Sequence, residues 1–295
     1  MSIKIGMHAG PQDLAFDEVA RLWQIGDAAD FHWISVWDHF YANPLQDRNN
    51  PCFEGIAAMA ALAAMTKNVR VGCLVFCALF RSPGVLAKAA VTIDHISGGR
   101  AEIGIGAGWF EEEFRDFGYG FPSLSARLDQ LEEALAIIRS LWHDEETNFK
   151  GKYYEVSQAV CSPKPLNSAM RLWVGGRGKL RTPQIAARYG DGFNMPYLSP
   201  ASVTDRLERL IRRCDEIDRD PAEIETSVNL GFYLGDRQPD VNPAGSLVGS
   251  AQQAVDRIGE YVDTGVQGLN IAIRPPVDWA ALDLFIEDVM PAFNS

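Results

Sequence analysis

The sequence has few cysteines and no pairing pattern among them. Cys52, Cys73, Cys77, Cys161 and Cys214 make an odd number, and no C-x-x-C occurs. This excludes a paired-cysteine zinc framework and a disulfide scaffold, and leaves reduced, mostly buried thiols. Neither H-E-x-x-H nor any other ligand spacing is present, so no catalytic metal is expected. There is no G-x-S-x-G elbow for a serine nucleophile. No apolar run approaches the roughly 18 residues a membrane span needs. Basic residues are in deficit, 27 Lys and Arg against 39 Asp and Glu, for a formal net charge of −12. That balance argues against nucleic acid and against an anionic membrane surface, while leaving room for a small anion in a local basic site. Met1-Ser2-Ile3-Lys4 runs directly into a strand pattern rather than a targeting signal, so a cytoplasmic location is expected.

What the sequence does have is a normal globular composition, 47% hydrophobic and 22% charged over 295 residues, and a regular alternation of short apolar runs with helical patterns. Strands are expected at 3–7, 33–37, 69–76, 101–106, 171–174, 192–195, 224–234 and 268–273. Helical periodicity follows at 14–30, 54–65, 83–96, 128–142, 180–189, 200–218, 251–264 and 278–290. Strict alternation implies a parallel sheet. Eight such units in this length fit a (β/α)₈ TIM barrel with insertions in the βα loops, as one domain over 1–295. Two connections are long: 40–53, and 143–170 with its hairpin-like NFKGKYYEV.

Active sites of such barrels lie at the C-terminal ends of the strands. That rule gathers His8, then Trp37-Asp38-His39, then Phe76, Cys77 and Arg81, then Gly106-Ala107-Gly108-Trp109, and last the loop VGGRGKLRTP at 174–183. This loop alternates Gly175, Gly176 and Gly178 with the cations Arg177, Lys179 and Arg181. Bare amides at a helix start together with positive charge suit a phosphate-like anion. An ordinary βα turn with its cations in solvent is the competing account. The loop is not a P-loop, because Leu180 follows Gly178-Lys179, and it is not a dinucleotide fingerprint. GIGAGW at 104–109 fails that fingerprint too; its glycines admit either a flat ring close to the backbone or tight packing at a strand end. Asp38-His39 is the best acid–base candidate, since histidine titrates near neutrality and a carboxylate neighbour raises its basicity. A structural hydrogen-bond pair is the alternative. Glu111-Glu112-Glu113 reads as a favourable helix start rather than a base.

Several stretches together resemble the luciferase-like monooxygenase superfamily, and within it the oxidoreductases that use the deazaflavin coenzyme F420. They are SVWDHF (35–40), the run from Leu74 to Phe114, LDQLEEALAIIRSLW (128–142), WVGGRGKLRTPQIAARYGDGFN (173–194) and LVGSAQQAVDRIGEYVDTGVQGLNI (247–271). The resemblance implies a barrel with the cofactor at the rim. Residues 175–179 would hold its phosphate, and Gly106, Ala107, Gly108 and Trp109 would lie beside its ring. A non-proline cis peptide at Leu74–Val75 would back that ring. Asp38 and His39 would manage a substrate proton while the cofactor carries hydride. The substrate would be a small organic molecule, shaped for by Phe40, Tyr41 and the 40–53 loop, and relatives commonly form homodimers. One departure matters: some deazaflavin dehydrogenases carry a glutamate where this chain has Trp109, which puts sugar-phosphate chemistry in doubt. The rival readings are an FMN-dependent monooxygenase that activates oxygen, and a flavin-binding barrel without turnover.

Overall fold

The structure, a computed structural model, describes residues 3–44, 47–235 and 242–293. Its strands are β1 (Lys4–Ala9), β2 (Trp33–Val36), β3 (Arg70–Cys77), β4 (Ala101–Gly106), β5 (Thr147–Lys150), β6 (Glu155–Ala159), β7 (Leu172–Gly175), β8 (Gly192–Pro196), β9 (Glu225–Leu234), β10 (Ser246–Gly249) and β11 (Gly268–Ile273). Its α-helices are α1 (Phe16–Ala28), α2 (Gly55–Met65), α3 (Pro83–Ser97), α4 (Glu111–Asp116), α5 (Leu124–His143), α6 (Arg181–Tyr189), α7 (Pro200–Asp215), α8 (Ala251–Val262) and α9 (Trp279–Leu284).

Eight parallel strands run in the order β9-β11-β1-β2-β3-β4-β7-β8, and β8 pairs back onto β9 to close the barrel. The chain therefore forms the expected TIM barrel, with every expected strand present and its ends moved by a residue or two. One strand was not expected, one helix is as its acidic start suggested, and one helical pattern is broken. β10 adds to β9 in parallel outside the barrel; at four residues it is too short to announce itself. The helix α4 is a single short piece after β4. The final helical pattern is not one α-helix, since α9 gives way to a π-turn at Phe285–Val289. The 143–170 insertion does contain a hairpin, β5–β6. It is tied to α5 by Glu133, whose carboxylate accepts the N–H groups of Lys152, Tyr153 and Tyr154.

Local signals set the helix ends. α3 starts with Pro83, whose fixed φ suits the first turn, and stops at Gly98 with φ +71°. Ser123, Ser199 and Ser250 cap α5, α7 and α8 by accepting the amides of Ala126, Ser202 and Gln253. Aliphatic side chains from strands and helices then fill the space between the two layers, each worth about 1.5–3 kcal/mol when fully buried.

The two ends of the barrel differ in kind. At the end where the strands begin, the rings of Trp33 and Trp173 meet at 4.9 Å, and the Trp173 indole donates to Glu102 at 2.7 Å. Glu225 pairs there with Lys4 at 2.9 Å, with Arg70 at 3.3 Å and with Arg171, and Arg70 also binds Glu102. That end is plugged, and its charges are paired. The opposite end is open.

Candidate active site

At the C-terminal rim lies a cavity of about 700 Å³. It gathers residues from the ends of β1, β2, β3, β4, β7, β8 and β11 and from within β9, which is why side chains far apart in the sequence face one space. Leu128 and Leu131 of α5, with Phe80 and Phe114, supply a dry wall.

β2 ends at Val36, so the next three residues leave the alternation of a strand. Trp37 points back, its indole donating to Gln12 Oε1 at 3.0 Å. Asp38 and His39 then diverge. Asp38 is buried, and both its oxygens accept from Arg81 at 2.7 Å, while Oδ2 also takes the Cys77 N–H at 2.9 Å. Arg81 further binds Glu54. Burial works against the Arg81 charge, but the bonds to Asp38 and Glu54 outweigh it and hold its pKa above the ordinary value. The Asp38 carboxylate is thus spent on an ion pair and is not the partner of His39.

The partner of His39 is Glu113. His39 Nδ1 lies 2.9 Å from Glu113 Oε2, and Glu113 Oε1 accepts the N–H groups of Phe40 at 2.7 Å and Tyr41 at 3.0 Å. Glu113 is only 1% exposed. Both backbone N–H groups donate to Oε1, so Oε2 is the oxygen that meets the ring. An ionised carboxylate has no hydrogen to give, so Nδ1 must carry the proton and Nε2 is left for the cavity. This corrects the expectation that the neighbouring Asp38 serves His39 and that Glu113 only favours a helix start. Sequence does hold a signal for Glu113. Phe110, Glu113, Phe114 and Phe117 fall at helical spacing, which puts the glutamate inside an apolar stripe. Trp109 meets the His39 ring edge-on at 5.6 Å and stacks on Phe110 at 5.3 Å, while remaining 60% exposed.

β3 carries the cis peptide Leu74–Val75, and its pairing with β4 slips between Cys73 and Phe76. Leu74 and Val75 both line the cavity. A Cβ on Gly175 would stand 2.4 Å from a Val75 methyl, and one on Gly106 would stand 2.7 Å away. Packing alone requires glycine at these two positions, because Val75 fills the space a Cβ would take. Gly108 needs it for a different reason, a φ of +71°. Ala107 and Gly108 also line the cavity.

The 174–183 loop divides. Gly175, Gly176, Arg177 and Gly178 line the cavity. Lys179 does not; it is exposed and acts electrostatically on Asp205. Arg181 turns away to Asp129 at 2.7 Å and Glu132 at 2.6 Å on α5. The Gly176 N–H is not bare either, since it donates to the Asn194 carbonyl at 3.1 Å. One cation of three, Arg177, therefore faces the site. The start of α6 lacks a side-chain cap, so its first amides have no internal acceptor of that kind.

The opposite wall is made by His8, which the rim rule gathers, and by Asn194, Tyr197, Asn229 and Arg274, which sequence reasoning passed over. Arg274 donates to the Asn43 carbonyl at 2.7 Å and to the Tyr197 hydroxyl at 3.3 Å. Single polar residues in apolar strands carry no motif, and only the closed barrel aligns them. Of the 40–53 loop, Asn43 lines the cavity, and Leu45 and Gln46 lie outside the described residues. The thiols are inert here: burial pushes Cys77 and Cys52 up to about 12. No helix among the described residues is long and apolar enough to cross a membrane.

Comparison with known proteins gives a family match and likenesses of fold. The family profile of luciferase-like monooxygenase matches residues 1–244. An F420-dependent glucose-6-phosphate dehydrogenase of Intrasporangium calvum is 28% identical, with 99% of each chain covered. Another, of Amycolatopsis mediterranei, is 32% identical over 197 residues, 65% of this chain and 56% of that protein. Among solved structures, an F420-dependent secondary alcohol dehydrogenase in complex with an F420-acetone adduct superposes with a TM-score of 0.87 at 21% identity, over the whole of both chains. The F420-dependent tetrahydromethanopterin reductase of Methanopyrus kandleri gives 0.84 at 18% identity, covering 99% of this chain and 100% of that one. At such identities these two are likenesses of fold.

Proposed function

The chain belongs to the luciferase-like monooxygenase family, and from that membership we propose that it is an F420-dependent oxidoreductase transferring hydride between the deazaflavin and a small organic substrate. The observation that carries this reading is that one cavity joins the His39–Glu113 pair, the Val75 bulge and the Arg177 end of the α6 approach. The residues suit the cofactor. Val75, Gly106, Ala107 and Gly108 offer a flat apolar backing for a ring, with Leu74 and Trp109 at its margins. Gly175, Gly176, Arg177 and Gly178, with the uncapped start of α6, offer an anionic tail charge and amides. Two relatives named for F420 dependence match the chain, one of them along 99% of its length.

When bound, the deazaflavin supplies the two-electron hydride chemistry. The chain's own share is orientation, dryness and a proton. His39 gives or takes the substrate proton at Nε2, and Glu113 fixes the ring so that this nitrogen faces inward. Asp38 holds the β2 loop in place through Arg81. Phe80, Phe114, Leu128 and Leu131 keep water out. The sugar phosphate in the relatives' names is not carried over, because the resemblance sets Trp109 where some deazaflavin dehydrogenases carry a glutamate. We further infer a homodimer and a cytoplasmic setting. α2, GIAAMAALAAM, is apolar on all sides, as suits a helix covered on both faces. Yet Met65 is 42% exposed, and on neighbouring α3 Val85 is 56% and Ile96 46% exposed.

The test is to titrate the purified chain with F420 and with FMN and follow cofactor fluorescence. Saturable F420 binding with weak or no FMN binding is expected. Tight FMN binding without F420 binding would replace this reading with an oxygen-activating monooxygenase.

A further inference from the structure

One buried polar group at the rim has no task in the reading above. His8 is 4% exposed, at the end of β1 inside the barrel, and lines the cavity. It pairs in register with Ser35 on β2, and its Nδ1 lies 2.8 Å from Ser35 Oγ. Its ring packs on Trp37 at 4.8 Å, and the Gln12 bond holds that indole still. Among the described residues Nε2 has no hydrogen-bond partner, so a fixed, buried imidazole turns an unused nitrogen toward the cavity. Burial, and then the charges of Arg274 and His39, push its pKa down to about 3. The imidazole is therefore uncharged throughout the working pH range.

The surroundings match. Asn194 donates to Ser227 Oγ at 2.9 Å and to Asn229 Oδ1 at 3.0 Å, and Asn270 donates to the same Asn229 oxygen at 2.9 Å. This floor is polar but uncharged. Among the described residues the carboxylates lining the cavity are Asp38 and Glu113, bound to Arg81 and to His39. Neither is left to balance a cationic substrate, and Arg274 stands close enough to act on His8 electrostatically.

We propose that His8 Nε2 is a substrate-binding group, taking an uncharged hydroxyl or carbonyl oxygen of a substrate whose reacting carbon lies at His39. The inference rests on the proposed oxidoreductase activity and names its substrate class: small molecules with a second, neutral oxygen beside the reacting one. Ser35 makes the site adaptable. Its hydroxyl can give to Nδ1, leaving Nε2–H as donor, or accept from Nδ1–H, leaving Nε2 as acceptor. A hydroxyl suits either tautomer, and a carbonyl suits the first. Leaving such a buried group unpaired is costly, so a substrate lacking the oxygen is discriminated against.

The experiment uses the full chain labelled with ¹⁵N-histidine, with and without F420, and records ring nitrogen signals, with His8→Phe assigning the His8 pair. The probes are 1,2-propanediol, hydroxyacetone, 2-propanol and 1-amino-2-propanol. Expected are saturable shifts at His8 with the diol and hydroxyacetone. Both should bind at least fivefold more tightly than 2-propanol, the aminoalcohol most weakly, and the preference should vanish in His8→Phe. Silent His8 signals with every probe, or a diol preference that survives in His8→Phe, would overturn the proposal; the wild-type titration decides even if the variant folds poorly. Fluorescence of F420 on the same samples separates the two claims. Cofactor binding with a silent His8 defeats this inference alone. A responsive His8 without cofactor binding defeats the redox reading alone.

Discussion

Glu113 Oε2 stands 2.9 Å from His39 Nδ1 although 74 residues separate them in the chain. The contact joins the loop after β2 to the helix after β4. Its second oxygen holds the amides of Phe40 and Tyr41, so ring and loop are set by one side chain.

Glu113→Gln tests that relationship. The new amide oxygen can still accept the two backbone amides, but its NH₂ then faces Nδ1 and favours the proton on Nε2, the wrong tautomer. We expect kcat/KM to fall by about 10²–10⁴, the usual range for a lost acid–base contribution, with F420 affinity unchanged. Steady-state kinetics beside fluorescence titration checks it; unchanged turnover would remove His39 as the proton group.

Arg177→Ala and Lys179→Ala should part company. Loss of a charge-assisted bond at Arg177 should weaken cofactor binding by about 1.5–3 kcal/mol, while Lys179→Ala, outside the cavity, should leave the Kd unaltered. Equal effects would mean that the loop acts through its net charge alone.

Asp38→Asn should show up first in stability. Breaking a buried pair by neutralising one member costs about 3–5 kcal/mol, and urea unfolding measures it. A variant of native stability but no activity would return Asp38 to the proton chemistry.

Gly175→Ala should destabilise by about 1–3 kcal/mol through overpacking, since the added methyl meets Val75. Val75→Ala in the same chain should recover part of that loss, a coupling that a double-mutant cycle detects.

Acid should weaken the fold through His8. The unfolded chain binds a proton below a pKa near 6.5, and the folded ring resists it down to about 3. The unfolded state thus holds more protons in that window. Stability is full above pH 6.5 and falls as pH drops toward 3, with a slope of at most about 1.4 kcal/mol per pH unit from this group. His8→Phe should flatten the slope. Unfolding curves across the window test the sign.

How far the sequence alone reached follows from what kind of order each feature has. Strands and helices are periodic, so all eight barrel units were legible, and the family motifs put Val75, Gly106 and Arg177 at the rim. Features that depend on closure were not. Asp38 and His39 are neighbours in sequence, but the strand has ended before them, and each found a remote partner, Arg81 or Glu113. Lys179 shares a motif with Arg177, yet the turn into α6 sends it elsewhere. His8 sits on the rim by position, but its lone free nitrogen depends on Ser35 lying in register on the next strand.

The plugged end, where Glu225 and Glu102 gather Lys4, Arg70 and Arg171 around two touching indoles, has a bearing on how such a protein can diverge. The charged plug fastens one pole of the molecule, and the lining that would meet substrate belongs to the other. Changes at Tyr197, Asn43 or Trp109 can therefore be sampled for new specificity without loosening that far hoop around the staves.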